Sequence, residues 1–279
     1  MSKFPSSNPG QRNASGAALE RAALALRMQD FAEAERLAAD VLKAERGNVT
    51  AAVILSQALL ATNRATEAVP PLERAAKRSG DAGVETLLAT ALAGAGRTAD
   101  ALDRLQQATA RRPPYPPAFI EHARQLGRAM KVDDAIAVAT AGLALLPHVV
   151  ELKIELARLL VMSNERGHAR SLLQQAQAAA PGHPDVLAEL ARVMLLDGEY
   201  ATAAELYRRA LATRPDAITR ANFALCLLEL NDRNAAERQL REVVRSSPQL
   251  FGRAVSSMSV SSHGRFFMRP SAAAAFLKG

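Results

Sequence analysis

Apolar positions in this chain recur at helical spacing and break off at regular intervals. From Pro184, Leu187 is followed by Leu190-Ala191 and then Met194. After Asp197-Gly198 come Tyr200, Ala203, Tyr207 and Ala210, and Pro215 ends the run. Apolar residues three or four apart on both sides of a short polar turn predict two amphipathic helices folded back on each other. Gly198 suits the turn, because a chain leaving a helix often needs a left-handed residue and glycine has no Cβ to oppose it. Ala191, Ala203 and Ala210 are short, which lets paired helices approach closely. Pro215 cannot continue the second helix.

The same unit returns along most of the chain. A small residue opens the second helix at Ala34, Ala68, Ala101, Ala135, Ala169, Ala203 and Ala236, at steps of 34 or 33 residues. Closing prolines at 113, 147, 181, 215 and 248 keep the same step. The order Leu187, Leu190-Ala191, Met194, Ala203-x3-Tyr207, Pro215 resembles the tetratricopeptide (TPR) pattern W-x2-L-G-x2-Y, A-x3-F, P. Seven such repeats run from about Ala17 to Pro248. The resemblance implies an all-α fold, a right-handed α-solenoid of helix-turn-helix TPR repeats with a C-terminal capping helix.

Three segments follow from this reading. Residues 1–16 are Ser, Pro, Asn and Gly without a hydrophobic period, and are expected to be disordered. Residues 17–248 form the seven-repeat solenoid, and residues 249–279 a capping helix with a basic tail. Pro70-Pro71 is expected in the first turn of a second helix, where missing amides cost little. The fourth repeat departs most from the pattern, with His122 where its neighbours carry Leu and Gly142 in place of a late Ala. Leu250, Phe251, Ala254, Val255 and Met258 predict the helix that covers the last repeat, whose apolar face is otherwise open to water. Beyond it, Ser271 is a candidate N-cap for a helix over 272–277. That tail is read either as a degenerate eighth hairpin or as a binding segment.

Composition changes this picture little. No stretch of the 279 residues has the apolar length of a membrane span, and the first residues lack the apolar core of a secretory signal. One cysteine, Cys226, excludes an internal disulfide framework, fits a reducing compartment and lies in an apolar run as a small buried side chain. The net charge of +7 suggests an anionic partner. However, residues 17–248 hold 29 basic and 28 acidic side chains, and the excess sits in the two tails. Nucleic acid is therefore not expected as a partner. The preference for Arg over Lys points to a GC-rich, bacterial coding sequence, and the expected location is cytoplasmic.

Signatures of catalysis do not survive their context. Gly94-Ala95-Gly96-Arg97-Thr98 resembles a phosphate loop but has no Lys after the second Gly and no preceding strand. His122, His148, His168, His183 and His263 form no metal-ligand spacing, and no Gly-x-Ser-x-Gly element is present. The reading is a non-enzyme without cofactor or metal.

Function is then expected on the surface the repeats build. In the TPR family, first helices line a concave face that grips peptides. Counting back eleven residues from each anchoring Ala gives Ala23, Gln57, Thr90, Arg124, Arg158, Arg192 and Leu225 as the groove-facing places. Arg124, Arg158 and Arg192 fall in register, with Ile120, Ile154 and Ala188 a turn earlier and Met162, Leu195 and Leu196 a turn later. Such a groove suits a protein or peptide with acidic and apolar residues, since Arg chelates carboxylates bidentately. The competing reading is structural: Glu121, Glu155 and Glu189 stand three places before each Arg and neutralise part of the row. TPR proteins that clamp chaperone tails carry Lys where this chain has Ile120 and Ile154, so that receptor type is not expected. The expected function is a non-enzymatic scaffold or adaptor that binds a partner peptide in the groove of repeats four to six. The alternatives are a substrate-presenting subunit for a separate sulfotransferase or glycosyltransferase, or an envelope or secretion assembly factor. A further reading has Phe266, Phe267 and the tail arginines folding into the chain's own groove.

Overall fold

The computed structural model describes residues 9–266 and 269–278, with side-chain surroundings from Ala14 onward. Packing divides the chain into two compact units, Met1–Pro147 and His148–Gly279. Among the described residues every regular element is helical.

In the first unit helices pack in consecutive pairs: α1 (Pro9–Arg27) with α2 (Phe31–Ala44), α3 (Val49–Ala61) with α4 (Ala65–Ser79), α5 (Ala82–Gly94) with α6 (Thr98–Ala110), and α7 (Pro116–Arg128) with α8 (Val132–Leu145). The second unit pairs α9 (Val150–Met162) with α10 (Arg166–Ala179), α11 (Pro184–Leu196) with α12 (Tyr200–Thr213), and α13 (Ala217–Glu229) with α14 (Arg233–Ser246). A 3-10 turn, Pro248–Leu250, then leads to α15 (Phe251–Val260) and α16 (Pro270–Lys278). Within each unit the first helices of successive pairs also touch, α1 to α3 to α5 to α7, and α9 to α11 to α13 to α15.

The hairpins close because each repeat turns in the same way. Gln29, Asn63, Gly96, Met130, Asn164, Gly198 and Asn231 all have positive φ, one per repeat. At each, two backbone bonds seal the end of the first helix. The Asn63 N–H donates to the Leu60 carbonyl at 3.1 Å and the Arg64 N–H to Leu59 at 2.8 Å, while Gly198 and Glu199 donate to Leu195 and Met194 at 3.2 and 2.9 Å. These are the paired bonds that satisfy carbonyls left over at a helix terminus. The seven anchoring alanines, Ala34 to Ala236, are all 0% exposed. A larger side chain at any of them has no space, which is why that position keeps its period.

Gly142 has a local cause: a Cβ there would come within 3.0 Å of Phe119, a buried ring. Leucine's place in α7 is taken by His122, which is buried, and its Nδ1 has no hydrogen-bond partner. Burial holds this imidazole below its ordinary pKa. Cys226 is fully buried and its thiol is pushed up to about 12 by that burial.

Three expectations change. Residues 1–8 lie outside the described residues, but from Pro9 the supposedly disordered segment is helical as part of α1. Once the packed part of a helix exists, extending it costs far less than nucleating it. Second, Pro70 and Pro71 lie inside α4 rather than in its first turn, because α4 already begins at Ala65 behind the Asn63 turn. Third, among the described residues the tail packs on α14 instead of in the groove of the first helices. Leu277 of α16 joins Leu240, Val244, Ala254 and Met258 in one core cluster. Phe276 lies beneath Arg241 and Arg265, at 4.6 and 5.0 Å from its ring centre, and Arg265 is held by Glu237 of α14 at 2.6 Å. Phe266 is exposed, and Phe267 lies outside the described residues. α15 and α16 thus both pack on α14.

Candidate functional site

The groove register predicted from the anchoring alanines takes shape in the first unit. Val53 and Gln57 of α3, Thr86 and Thr90 of α5, and Ile120 and Arg124 of α7 line one cavity of about 400 Å³. Each pair stands fifteen and eleven residues before its anchoring alanine, so three neighbouring first helices present equivalent places to the same space. Such a volume lies within the range of ligand clefts, roughly 300–1,000 Å³. Leu87, Val84 and Pro117 add apolar wall, and Tyr115 closes one side.

Polar groups in this cavity are mostly committed in a defined way. Asp81 caps the start of α5, accepting from the Gly83 and Val84 amides at 2.8 and 3.0 Å. Gly83 has no side chain because the Asp81 carboxylate and the Tyr115 hydroxyl occupy that space, 2.9 and 3.2 Å from a hypothetical Cβ. Thr86 and Thr90 donate their hydroxyl protons back to the carbonyls of Ala82 and Thr86, at 2.7 and 3.1 Å, and so offer the cavity oxygen lone pairs. Glu121 accepts from Arg124 at 3.0 Å and from Gln125 at 2.6 Å. With Gln57 and Tyr115 the cavity offers donors and acceptors between aliphatic patches, the combination that binds a short peptide by both backbone and side chains.

The second unit treats the same register differently. Ile154 is 4% exposed, so it is core and not groove surface, a correction to its assignment. Ala221, at the equivalent place in α13, is buried too, and Ala188 is half-buried. These first helices cover with one another the place that α3, α5 and α7 leave open. Arg158 and Arg192 do meet, but through an acid. Glu189 accepts from the Nε of Arg158 and from the Nε of Arg192, both at 2.7 Å, and Arg158 also lies 3.6 Å from Glu155. Glu155 and Glu189 are largely buried beneath half-exposed guanidinium groups. Beyond the within-helix pairs expected from the Glu-x-x-Arg motif, the Arg158–Glu189 bond ties α9 to α11. Met162 and Leu196 are 52% and 47% exposed at the ends of α9 and α11, with Leu195 half-buried between core and solvent. Ile120 and Arg124 belong to the first unit's cavity, and the other predicted groove residues to the second unit.

Sequence reasoning missed Tyr115 and Asp81, which immediately precede α7 and α5, and Leu87, which lies within α5 one place after Thr86 and outside the eleven-residue count. Among the described residues no group of three His, Cys, Asp or Glu side chains is placed to hold a metal ion, and no helix is long and apolar enough to cross a membrane.

Comparison with known proteins supplies the family. Models of the tetratricopeptide repeat match residues 19–83 in the first unit and 167–219 in the second. No curated protein matches the chain. Among solved structures it is similar to TTC0263, a TPR protein of Thermus thermophilus, at 21% identity and a TM-score of 0.56, covering 64% of this chain and 100% of that one. It is similar to PilW, a type IV pilus biogenesis factor, at 20% identity and 0.60, covering 75% and 96%. It also matches human IFIT1 bound to m7Gppp-AAAA at 15% identity and 0.69, covering 88% of this chain but only 62% of IFIT1. Likeness at such identities concerns the fold, an all-α arrangement of sequential helix pairs. With the repeat models falling on both units and one sealed turn per repeat, the chain is a tetratricopeptide repeat protein.

Proposed function

We propose that this chain is a non-enzymatic scaffold that holds a segment of a partner protein in the cavity of α3, α5 and α7. TPR proteins in general act as platforms for protein–protein interaction, and the observation that carries the narrower reading is the cavity itself. Three consecutive first helices direct equivalent residues into one space, with aliphatic contacts from Val53, Leu87 and Ile120 and hydrogen-bonding groups from Gln57, Thr90 and Tyr115. This moves the expected site from repeats four to six to repeats two to four. The partner segment is apolar with polar backbone contacts. Acidic residues matter less than the arginine row suggested, because Arg124, Arg158 and Arg192 already bond carboxylates of their own chain.

Charge reversal of these arginines is a poor test, since it unpairs largely buried glutamates. A filling substitution is cleaner. Thr90→Trp is expected to lower recovery of the native partner in co-purification by about tenfold or more, as loss of a central contact region does, with helicity by circular dichroism unchanged. Met162→Lys, on an exposed edge of the second unit, leaves recovery as it is. Equal recovery with Thr90→Trp and with the unaltered chain contradicts the assignment.

A further inference from the structure

A second surface of the first unit differs in chemistry from the cavity. Ala39, Leu42 and Lys43 of α2, and Arg46 just beyond its end, are spaced as one helical stripe. With Leu55 and Arg74 they line an open crevice of about 630 Å³. Leu42, Arg46 and Arg74 continue into an adjoining cleft whose far side is Arg78, lying over Gly47 in the space a side chain there would take. The floor is aliphatic and the rim is cationic.

The nearby carboxylates face other partners. Asp40 holds Lys43 at 2.9 Å and lies 3.5 Å from Arg36. Glu45 accepts from Ser15 and Asn48 at 2.6 and 2.9 Å, and Glu73 lies 3.5 Å from Arg97. Among the described residues no carboxylate comes within 4.0 Å of Arg46, Arg74 or Arg78, and all three side chains are exposed. This contrasts with Arg64, Arg97, Arg104, Arg158, Arg170 and Arg192, each of which is paired. Like charges gathered around one crevice repel one another until an anion joins them.

We propose that this crevice docks an acidic amphipathic helix of a partner protein. Its apolar face lies on Ala39, Leu42 and Leu55, and its carboxylates meet Arg46, Arg74 and Arg78. Guanidinium groups bind carboxylates by paired, charge-assisted bonds, and an aliphatic trough is the usual seat of an amphipathic helix. Residues 1–19 and 243–279 hold no acidic side chain and do not match this ligand. A single-stranded nucleic acid is disfavoured because such strands are held by base stacking on aromatic rings, and the lining contains none.

The probe is a fluorescein-labelled helical peptide of Leu and Glu in amphipathic spacing, titrated with the full chain by fluorescence anisotropy. Controls are its Gln-for-Glu counterpart and a labelled oligothymidylate. Saturable binding of the Glu peptide is expected, weakening with salt, with no binding of the Gln peptide. The triple variant R46Q/R74Q/R78Q is expected to lose about tenfold or more in affinity, given three charge-assisted contacts. Thr90→Trp is expected to bind the probe like the unaltered chain, so failure of this inference and failure of the cavity assignment are separable. No loss in the triple variant overturns the proposal, as does tighter binding of oligothymidylate than of the Glu peptide.

Discussion

At the scale of single residues, the fold rests on one conformational requirement per repeat. Each first helix ends in a residue with positive φ, and the occupants are two glycines, three asparagines, Gln29 and Met130. Gly198 and Gly96 announce their role in the sequence. Met130 does not, because methionine has no turn preference, and only its place five residues before an anchoring alanine marks it. A left-handed backbone costs an L-residue roughly 1–2 kcal/mol, partly offset in glycine by greater freedom when unfolded. Met130 is 76% exposed and gives up little packing. Met130→Gly is therefore expected to stabilise the chain by about 0.5–1 kcal/mol, read as a higher urea midpoint; a lower midpoint contradicts the strain. His122 makes a second case. Its folded pKa is depressed by burial, so below the ordinary imidazole pKa the unfolded chain binds the extra proton. Stability should fall as pH drops through that ordinary value towards the folded pKa, and level off beneath it. His122→Leu removes this dependence and adds about 1 kcal/mol near neutrality, because an unpartnered buried nitrogen is lost. Urea midpoints at pH 7.5 and 5.5 for both chains provide the check. The identity of His122 as a core place was legible from its register; its missing partner was not, since that depends on neighbours distant in sequence.

At the scale of helices, periodicity carried the pairing, and the seven buried alanines show why: the contact between two helices is the most demanding spatial constraint in the repeat. What the period did not carry is the difference between units. The same register leaves Val53 and Ile120 half-buried at a cavity and buries Ile154 and Ala221, because side-by-side contact between first helices is decided by residues on both. The Glu-x-x-Arg motif was visible as a within-helix pair, whereas the bond from Arg158 to Glu189, thirty-one residues on, needed the fold. Glu189→Ala leaves two guanidinium groups without their shared acid. It is expected to destabilise the second unit by about 2 kcal/mol. A double-mutant cycle with Arg158→Ala measures the coupling, and strictly additive effects would reject the bridge.

At the scale of the molecule, seven repeats were legible but not the division at Pro147, which is one of five equivalent closing prolines. Core clusters of the first unit draw on residues 22–105, and the terminal cluster of the second on residues 224–277. Helix α16 belongs to that last cluster through Leu277, so the tail is structural. Deleting residues 270–279 is expected to uncover Leu240 and Val244 and to lower the unfolding midpoint of the second unit, as loss of a solenoid cap does. An unchanged midpoint in circular dichroism would show that α16 carries no stability.

The central claim is that the open face of α3, α5 and α7 holds another chain. Hydrogen–deuterium exchange of the protein with and without its captured partner tests this most directly. Slower exchange is predicted at the exposed edges of these three helices and in the 112–118 segment that carries Tyr115, with the second unit unchanged. Protection confined to α9, α11 and α13, with α3, α5 and α7 exchanging as in the free chain, would contradict it.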